Sequence, residues 1–260
     1  MPAADWEVMT PMSSLSPLIG EVSSGGRADD VVQRITEAIH LGLLHDGEQL
    51  PVEVELARQF GIAPMTVREA LAELRARGLV ETRRGRKGGS FVKRPAGPPV
   101  EYLRATLAAM TVSELRDLVD EHVAVAGQAA RLAAERASAV NVRRLFALTE
   151  QLGSATTLGE QIRADTRFHI ELAIAAHSER LTRREVALQA EVSGLLWLPL
   201  GPPVDVGAQV AAHHALAVAV AAEDPDRARD LAEEHVGSDL HRLVTLNLLL
   251  SDEAQGDTRA

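Results

Sequence analysis

Residues 50–92 read LPVEVELARQFGIAPMTVREALAELRARGLVETRRGRKGGSFV, and the fold of the N-terminal part turns on them. Val54, Leu56, Ala57 and Phe60 share one side of a short helix that Gly61 stops. Pro64 stands near the first turn of a second helix, where its missing N–H costs nothing. Val67, Leu71 and Leu74 make that helix's apolar stripe and Gly78 ends it. Leu79–Thr82 and Ser90–Lys93 are predicted as short strands joined by the basic, glycine-rich turn RRGRKGG. Helix, tight turn, helix and basic hairpin in that order describe a winged helix-turn-helix. In such a fold the second helix enters the major groove of DNA and the hairpin touches the flanking backbone.

Upstream, Val31, Ile35, Ile39 and Leu43 stand four apart and predict one further helix over 28–43. Residues 1–26 hold Pro, Ser and Gly with little periodicity and are expected to be a disordered arm. They lack a basic start followed by an apolar core, so no signal peptide is expected. The winged domain is placed at 27–94, and PAGPP opens a linker placed at 95–105. Residues 106–250 form a second, all-helical domain, with helices predicted near 111–137, 139–153, 158–177, 179–197, 206–222 and 225–249, and 251–260 are expected to be a disordered tail. The predicted class is thus mostly α: an N-terminal winged helix-turn-helix followed by a C-terminal all-α bundle.

Composition agrees. Of 260 residues 46% are apolar but only 3% aromatic, which favours helices over sheets. Cysteine is absent, which excludes disulfides and thiolate metal sites and fits a reducing cytoplasm. No apolar run reaches the ~20 residues of a membrane span. The net charge of −10 argues against a nucleic-acid partner until its distribution is counted. Thr66–Arg94 holds nine Lys/Arg against three Asp/Glu, and residues 27–95 net +2, leaving −12 for the rest. An acidic body with one basic edge is oriented by double-stranded DNA.

On the DNA-reading half the candidate contacts are Thr66, Arg68, Arg83, Arg84, Arg86, Lys87 and Gly88. Thr66 can bond a phosphate or touch a thymine methyl. Arg68 can fork onto guanine, pair with a phosphate, or lie on the surface paired with Glu69 or Glu73. Gly85, Gly88 and Gly89 let backbone approach backbone. With LPVEVELARQFGI, TVREAL, GLV and GGSFV in order, residues 28–93 resemble the DNA-binding domain of the GntR family of bacterial transcription regulators. Two departures stand out: Val54 where that family usually has Arg, and Ala63-Pro64 where it usually has Ser-Arg. The hairpin is unusually basic, so backbone binding is expected to shift onto it.

In the helical half, Asp165 and His169 are four apart and share a helix face among Ile162, Phe168, Leu172 and Ala173. His213 lies on a stripe with Val206, Val210, Ala217 and Val220, and His235 follows in RDLAEEHVGSDL. Polar groups aimed into a core must be paired, hydrated or bound to a cation. Spacing alone leaves these options open; three imidazoles and a carboxylate suit a divalent ion such as Zn²⁺ or Ni²⁺.

Residues 111–249 resemble the FCD effector domain of the FadR branch, through RLAAERA, DTRFHIELAIAAHSERL and HHALAVAVAAEDPDRARDLAEEHV. The resemblance implies metal ligands at Asp165, His169, His213 and His235, with His214 outside the first shell. Its customary anion-binding Arg, four residues before a Glu, is replaced by His122 and Ala126, and Ser178 replaces a common Asn. His122 and Trp197 are carried forward as effector-facing candidates, with core packing open for Trp197 and Met110; Arg116, Arg163 and Arg167, with Glu171 and Glu191, are expected on solvated faces. The implied function is a cytoplasmic homodimeric repressor, not an enzyme, released from its operator by a small effector, expected to be a carboxylate. Rival readings are a metal enzyme or a metal-ion sensor fused to a DNA-binding module, or a structural hydrogen-bond network.

Overall fold

A computed structural model describes residues 28–85, 88–95 and 100–257. The chain divides into two compact units, Met1–Pro95 and Ala96–Ala260. The expected arm 1–26 lies outside the described residues, as do Arg86 and Lys87 of the hairpin.

In the first unit α1 spans Ala28–His40, α2 Glu53–Phe60 and α3 Pro64–Ala76, followed by strands β1 (Val80–Arg83) and β2 (Gly89–Val92). Asp29 and Asp30 sit in the first turn of α1, where the helix dipole favours negative charge. The turn between α2 and α3 needs a left-handed residue, and Gly61 supplies it at φ 68°. The strands pair antiparallel from Val80↔Val92 to Arg83↔Gly89. Gly88 closes the loop: a Cβ there would stand 2.5 Å from the Arg83 carbonyl oxygen and 2.8 Å from that of Gly85. Ile35, Leu56, Phe60, Val67, Leu71, Leu74 and Val92 form one core. The predicted winged helix-turn-helix is the observed element order, with the first helix three residues shorter.

The second unit is helical: α4 Val100–Ala109, α5 Val112–Arg136, α6 Ala139–Ser154, α7 Leu158–Ala175, α8 Glu179–Leu196, α9 Val206–Ala221, α10 Pro225–Gly237 and α11 Asp239–Asp257. Starts follow local chemistry. Capping boxes at Thr111/Glu114, Ser138/Asn141 and Thr157/Glu160 open α5, α6 and α7, and Asp205 and Asp224 cap α9 and α10.

Three expectations need correction. The linker 95–105 gives way to helix from Val100, and Asn247 of α11 secures that helix's end by donating to Leu107 O at 2.7 Å and Met110 O at 2.9 Å. The helix predicted over 225–249 is two, broken at Ser238, whose hydroxyl donates to His235 O (2.7 Å); such a local bond offers the backbone an alternative to the helix ladder. The expected tail 251–260 is helical to Asp257. Among the described residues no helix is long and apolar enough to cross a membrane.

Candidate functional site

In the first unit, α3 presents its first turn to solvent: Met65 is 59% exposed, Thr66 half-buried and Val67 buried. Arg68 is exposed, but its partner is neither Glu69 nor Glu73. Its Nε and Nη2 both donate to Glu53 Oε2 of α2, at 3.1 and 2.9 Å. In the hairpin Arg83 bonds Glu81 at 2.7 Å and lies 4.3 Å over the Phe91 ring, while Arg84 is exposed. Gln49 donates to Gly88 O at 3.1 Å, which ties the hairpin tip to the chain preceding α2.

In the second unit, the candidate ligands come from three helices and converge. The ligand atoms of His169 (α7), His213 (α9) and His235 (α10) lie within 4.8 Å of one another. His213 Nε2 is 3.2 Å from His235 Nε2 and 3.5 Å from Asp165 Oδ1. Phe168 fixes the His213 ring by stacking on it, centroids 3.9 Å apart. His169 and His235 are parallel at 5.2 Å. Asp165 accepts a hydrogen bond from Trp197 Nε1 at 3.0 Å through Oδ2, which leaves Oδ1 toward the histidines.

Burial sets the charges. His169 and His213 are pushed well below the usual imidazole range by burial and by neighbouring rings, and His235 is lowered to about 4, mainly by burial with His122 adding to it. All three are therefore neutral at pH 7, with lone pairs free of proton competition. Burial raises Asp165 to about 6, against the pull of the Trp197 N–H and of His122. The donor set fits a divalent ion. Two facing Nε2 atoms at 3.2 Å match the separation of about 3.3 Å expected for two nitrogens on one tetrahedral zinc. The indole bond to Asp165 is the outer support such a carboxylate ligand needs.

Beside the histidines lies a small cavity, partly open to solvent, walled by His122, Asp165, Trp197, Gln209, Asp239 and Arg242 among others. His122 is buried and meets Glu185 Oε1 of α8 at 3.0 Å; Gln189 donates to the same oxygen at 2.9 Å. Burial works against charge on His122, but Glu185, with Asp239 and Asp165, outweighs it and raises its pKa. Burial also pushes Asp239 up to about 7. Arg242 lines the cavity while donating to the carbonyls of Leu196, Leu198 (3.5 Å) and Pro202 (2.9 Å), which pins the segment after α8.

The structure thus brings Asp165, His169, His213 and His235 together and sets both His122 and Trp197 on the cavity wall. Trp197 also packs in the core with Leu115, Leu195 and Leu243, and Met110 packs against that core. His214 is exposed and meets Phe146 edge-on at 5.6 Å. Glu171 is a correction: it is buried, with Asn141 donating to it at 2.9 Å. Arg163 and Arg167 are half-buried and not on an open face, whereas Arg116 and Glu191 are exposed. Glu185, Gln189, Asp239 and Arg242 were not anticipated. Their signal was present for α8, where Thr182, Glu185, Gln189 and Ser193 recur at helical spacing on the buried side.

Residues 27–92 match the family model described as "Bacterial regulatory proteins, gntR family", and residues 117–238 match the FCD domain. The chain is 43% identical, over 93% of its length and 89% of the relative's, to "Putative HTH-type transcriptional regulator RmpR" of Mycobacterium gastri. It is 31% identical, over 80% of its length and 83% of the relative's, to "Putative L-lactate dehydrogenase operon regulatory protein" of Escherichia coli (strain K12). Among solved structures, E. coli McbR/YncC superposes with a TM-score of 0.50 at 19% identity, covering 84% of this chain and 97% of that one, a likeness of fold alone.

Proposed function

The chain belongs to the GntR family of bacterial regulatory proteins and carries an FCD effector-binding domain, and from that premise we propose that it is a repressor whose grip on its operator is controlled by a small carboxylate bound beside a divalent metal ion. The observation that carries this reading is the group of three uncharged imidazoles and one buried carboxylate, of which Asp165, His169 and His235 line a cavity while His213 is buried behind them. Asp165, His169, His213 and His235 would hold the ion, Zn²⁺ or Ni²⁺ by donor type. When bound, the ion supplies a Lewis-acidic point for an oxygen of the effector. The chain's own residues do the rest. Trp197 orients Asp165, Phe168 fixes His213, and Arg242 holds the wall after α8 in place. Against burial, Glu185 beside His122 raises the imidazole's pKa and so favours positive charge on this part of the wall.

The E. coli relative is named for an L-lactate dehydrogenase operon, and L-lactate is a small carboxylate, which supports the ligand class. In the first unit, Thr66, Arg68 and the hairpin residues Arg83, Arg84, Arg86, Lys87 and Gly88 would face the duplex, with a homodimer matching a two-fold operator. Coupling requires that the effector bind the released state more tightly than the DNA-bound state. The enzyme reading has less behind it, since Glu185, the carboxylate nearest His122, is already bonded to His122 and Gln189.

The test is native purification without chelator, followed by metal analysis and identification of any co-purified acid. About one ion per chain, lost in His213→Ala, is the expected result. A metal-free protein that still responds to a small molecule would overturn the metal part, and one that binds no duplex would overturn the regulator part.

A further inference from the structure

The tip of the helix-turn-helix is apolar where a base-reading surface is commonly polar. Three large hydrophobic side chains stand out in water there: Val52 at 69% exposure, Val54 at 70% and Met65 at 59%. Single exposed hydrophobics are ordinary, but these three lie around one feature. Val52 and Val54 flank Glu53 at the start of α2, and Glu53 reaches Arg68 of α3 at 2.9 Å. Met65 is three residues before Arg68, on the same helix face. Apart from the half-buried Thr66 hydroxyl, the remaining first-turn groups of α3 offer little polarity. Ala63 provides no side-chain cap, Pro64 has no N–H, Val67 is buried, and Arg68 has both its Nε and Nη2 turned onto Glu53.

Resting on the regulator reading above, we propose that Val54 and Met65, with Val52 at the rim, are specificity-determining residues that read thymine C5-methyl groups in the major groove. The methyl of thymine is the apolar feature that base edges present there, and side chains that donate no hydrogen bond, and accept none beyond the weak acceptor of a thioether, are matched to it. The occupant is DNA rather than protein because of what surrounds the patch. Met65 sits at the positive end of the α3 dipole; of the acidic neighbours Glu53, Glu55 and Glu69, the first two are paired with Arg68 and Arg58, and the chain that follows, Thr66 to Arg94, holds nine basic against three acidic residues. Apolar contact also needs no counter-charge, so Arg68 can stay with Glu53 while the groove is read. Operators are therefore expected to carry thymines, on either strand, opposite the first turn of α3 in each half-site.

The test separates methyl contact from everything else. The full-length protein selects duplexes from a random library, and the tightest is resynthesised with deoxyuridine in place of each thymine in turn, a change that removes the methyl alone. Anisotropy titration is expected to show one or two positions per half-site where uracil weakens binding roughly fourfold per methyl lost. In the Val54→Ala/Met65→Ala variant the thymine and uracil duplexes should bind equally. Both residues are exposed, so folding is not at risk. No uracil-sensitive position, or uracil sensitivity undiminished in the double variant, overturns the proposal. So does a double variant whose sole defect is loss of self-association in sedimentation, since the patch would then be a protein contact. A protein that enriches no duplex at all fails at an earlier point, the regulator reading itself.

Discussion

Replacing Trp197 by Phe isolates one hydrogen bond in the proposed metal site. The side chain is 4% exposed and its Nε1–H donates to Asp165 Oδ2 at 3.0 Å. Phe keeps most of the apolar contact with Leu115, Leu195 and Leu243 but removes that donor. A hydrogen bond to a charged group contributes about 1.5–3 kcal/mol, and loss of such outer support typically costs about 10- to 100-fold in metal affinity. The effect has a pH signature. The indole N–H opposes the burial that raises Asp165 to about 6, so without it the carboxyl holds its proton to higher pH. Because metal binding requires the carboxylate, the deficit of the variant should be larger at pH 6 than at pH 8. Competition with a chromophoric chelator for Zn²⁺, at pH 6, 7 and 8, measures it. Equal affinities of variant and parent at every pH would refute the assignment of Trp197 to Asp165 and of Asp165 to the metal.

For the parent protein, Zn²⁺ affinity should fall only about tenfold between pH 7 and pH 5, because Asp165 titrates near 6 while the imidazoles are already neutral. Three imidazoles at an ordinary pKa would instead lose about 10⁴-fold over that range, and calorimetric titration at the two pH values distinguishes the cases. Gly88→Ala places a Cβ 2.5 Å from the Arg83 carbonyl, and should weaken duplex binding about tenfold, or about 1.4 kcal/mol, in anisotropy. The far-ultraviolet circular dichroism of that variant should not change. Asn247→Ala leaves the carbonyls of Leu107 and Met110 without their buried donor and should lower unfolding free energy by roughly 1–3 kcal/mol in urea melts; an unchanged midpoint would show that α4 is held by its apolar side alone.

The elements legible in the sequence were those whose signals are local. Capping boxes such as Thr157/Glu160, Pro64 at a helix start and Gly61 at a turn set boundaries through bonds within four residues. The i,i+4 pair Asp165/His169 was legible for the same reason. Partners across long separations were not. Helical spacing offers Arg68 the partners Glu69 and Glu73, yet it bonds Glu53 fifteen residues back. Local spacing suits Glu171 to a solvated face, but Asn141, thirty residues away, donates to it in the interior. Helix α4 was hidden in a presumed linker because its C-terminal carbonyls are satisfied by Asn247, 140 residues beyond Leu107. The convergence of His213 and His235 with Asp165 came from family resemblance, since spacing alone also allowed a plain hydrogen-bond network. His122's compensation by Glu185 is 63 residues long-range and left no local trace.

The most direct measurement is the dissociation constant of the metal-loaded protein for a duplex from its own upstream region, by anisotropy, across a panel of small carboxylates, in parallel with His169→Ala. One acid is expected to weaken binding of the parent at least about tenfold, within the usual range of coupling between two sites, and to leave His169→Ala unmoved. A parent protein whose duplex affinity is the same with every acid, or a His169→Ala variant that responds equally well, would contradict control of DNA binding from the histidine-lined cavity.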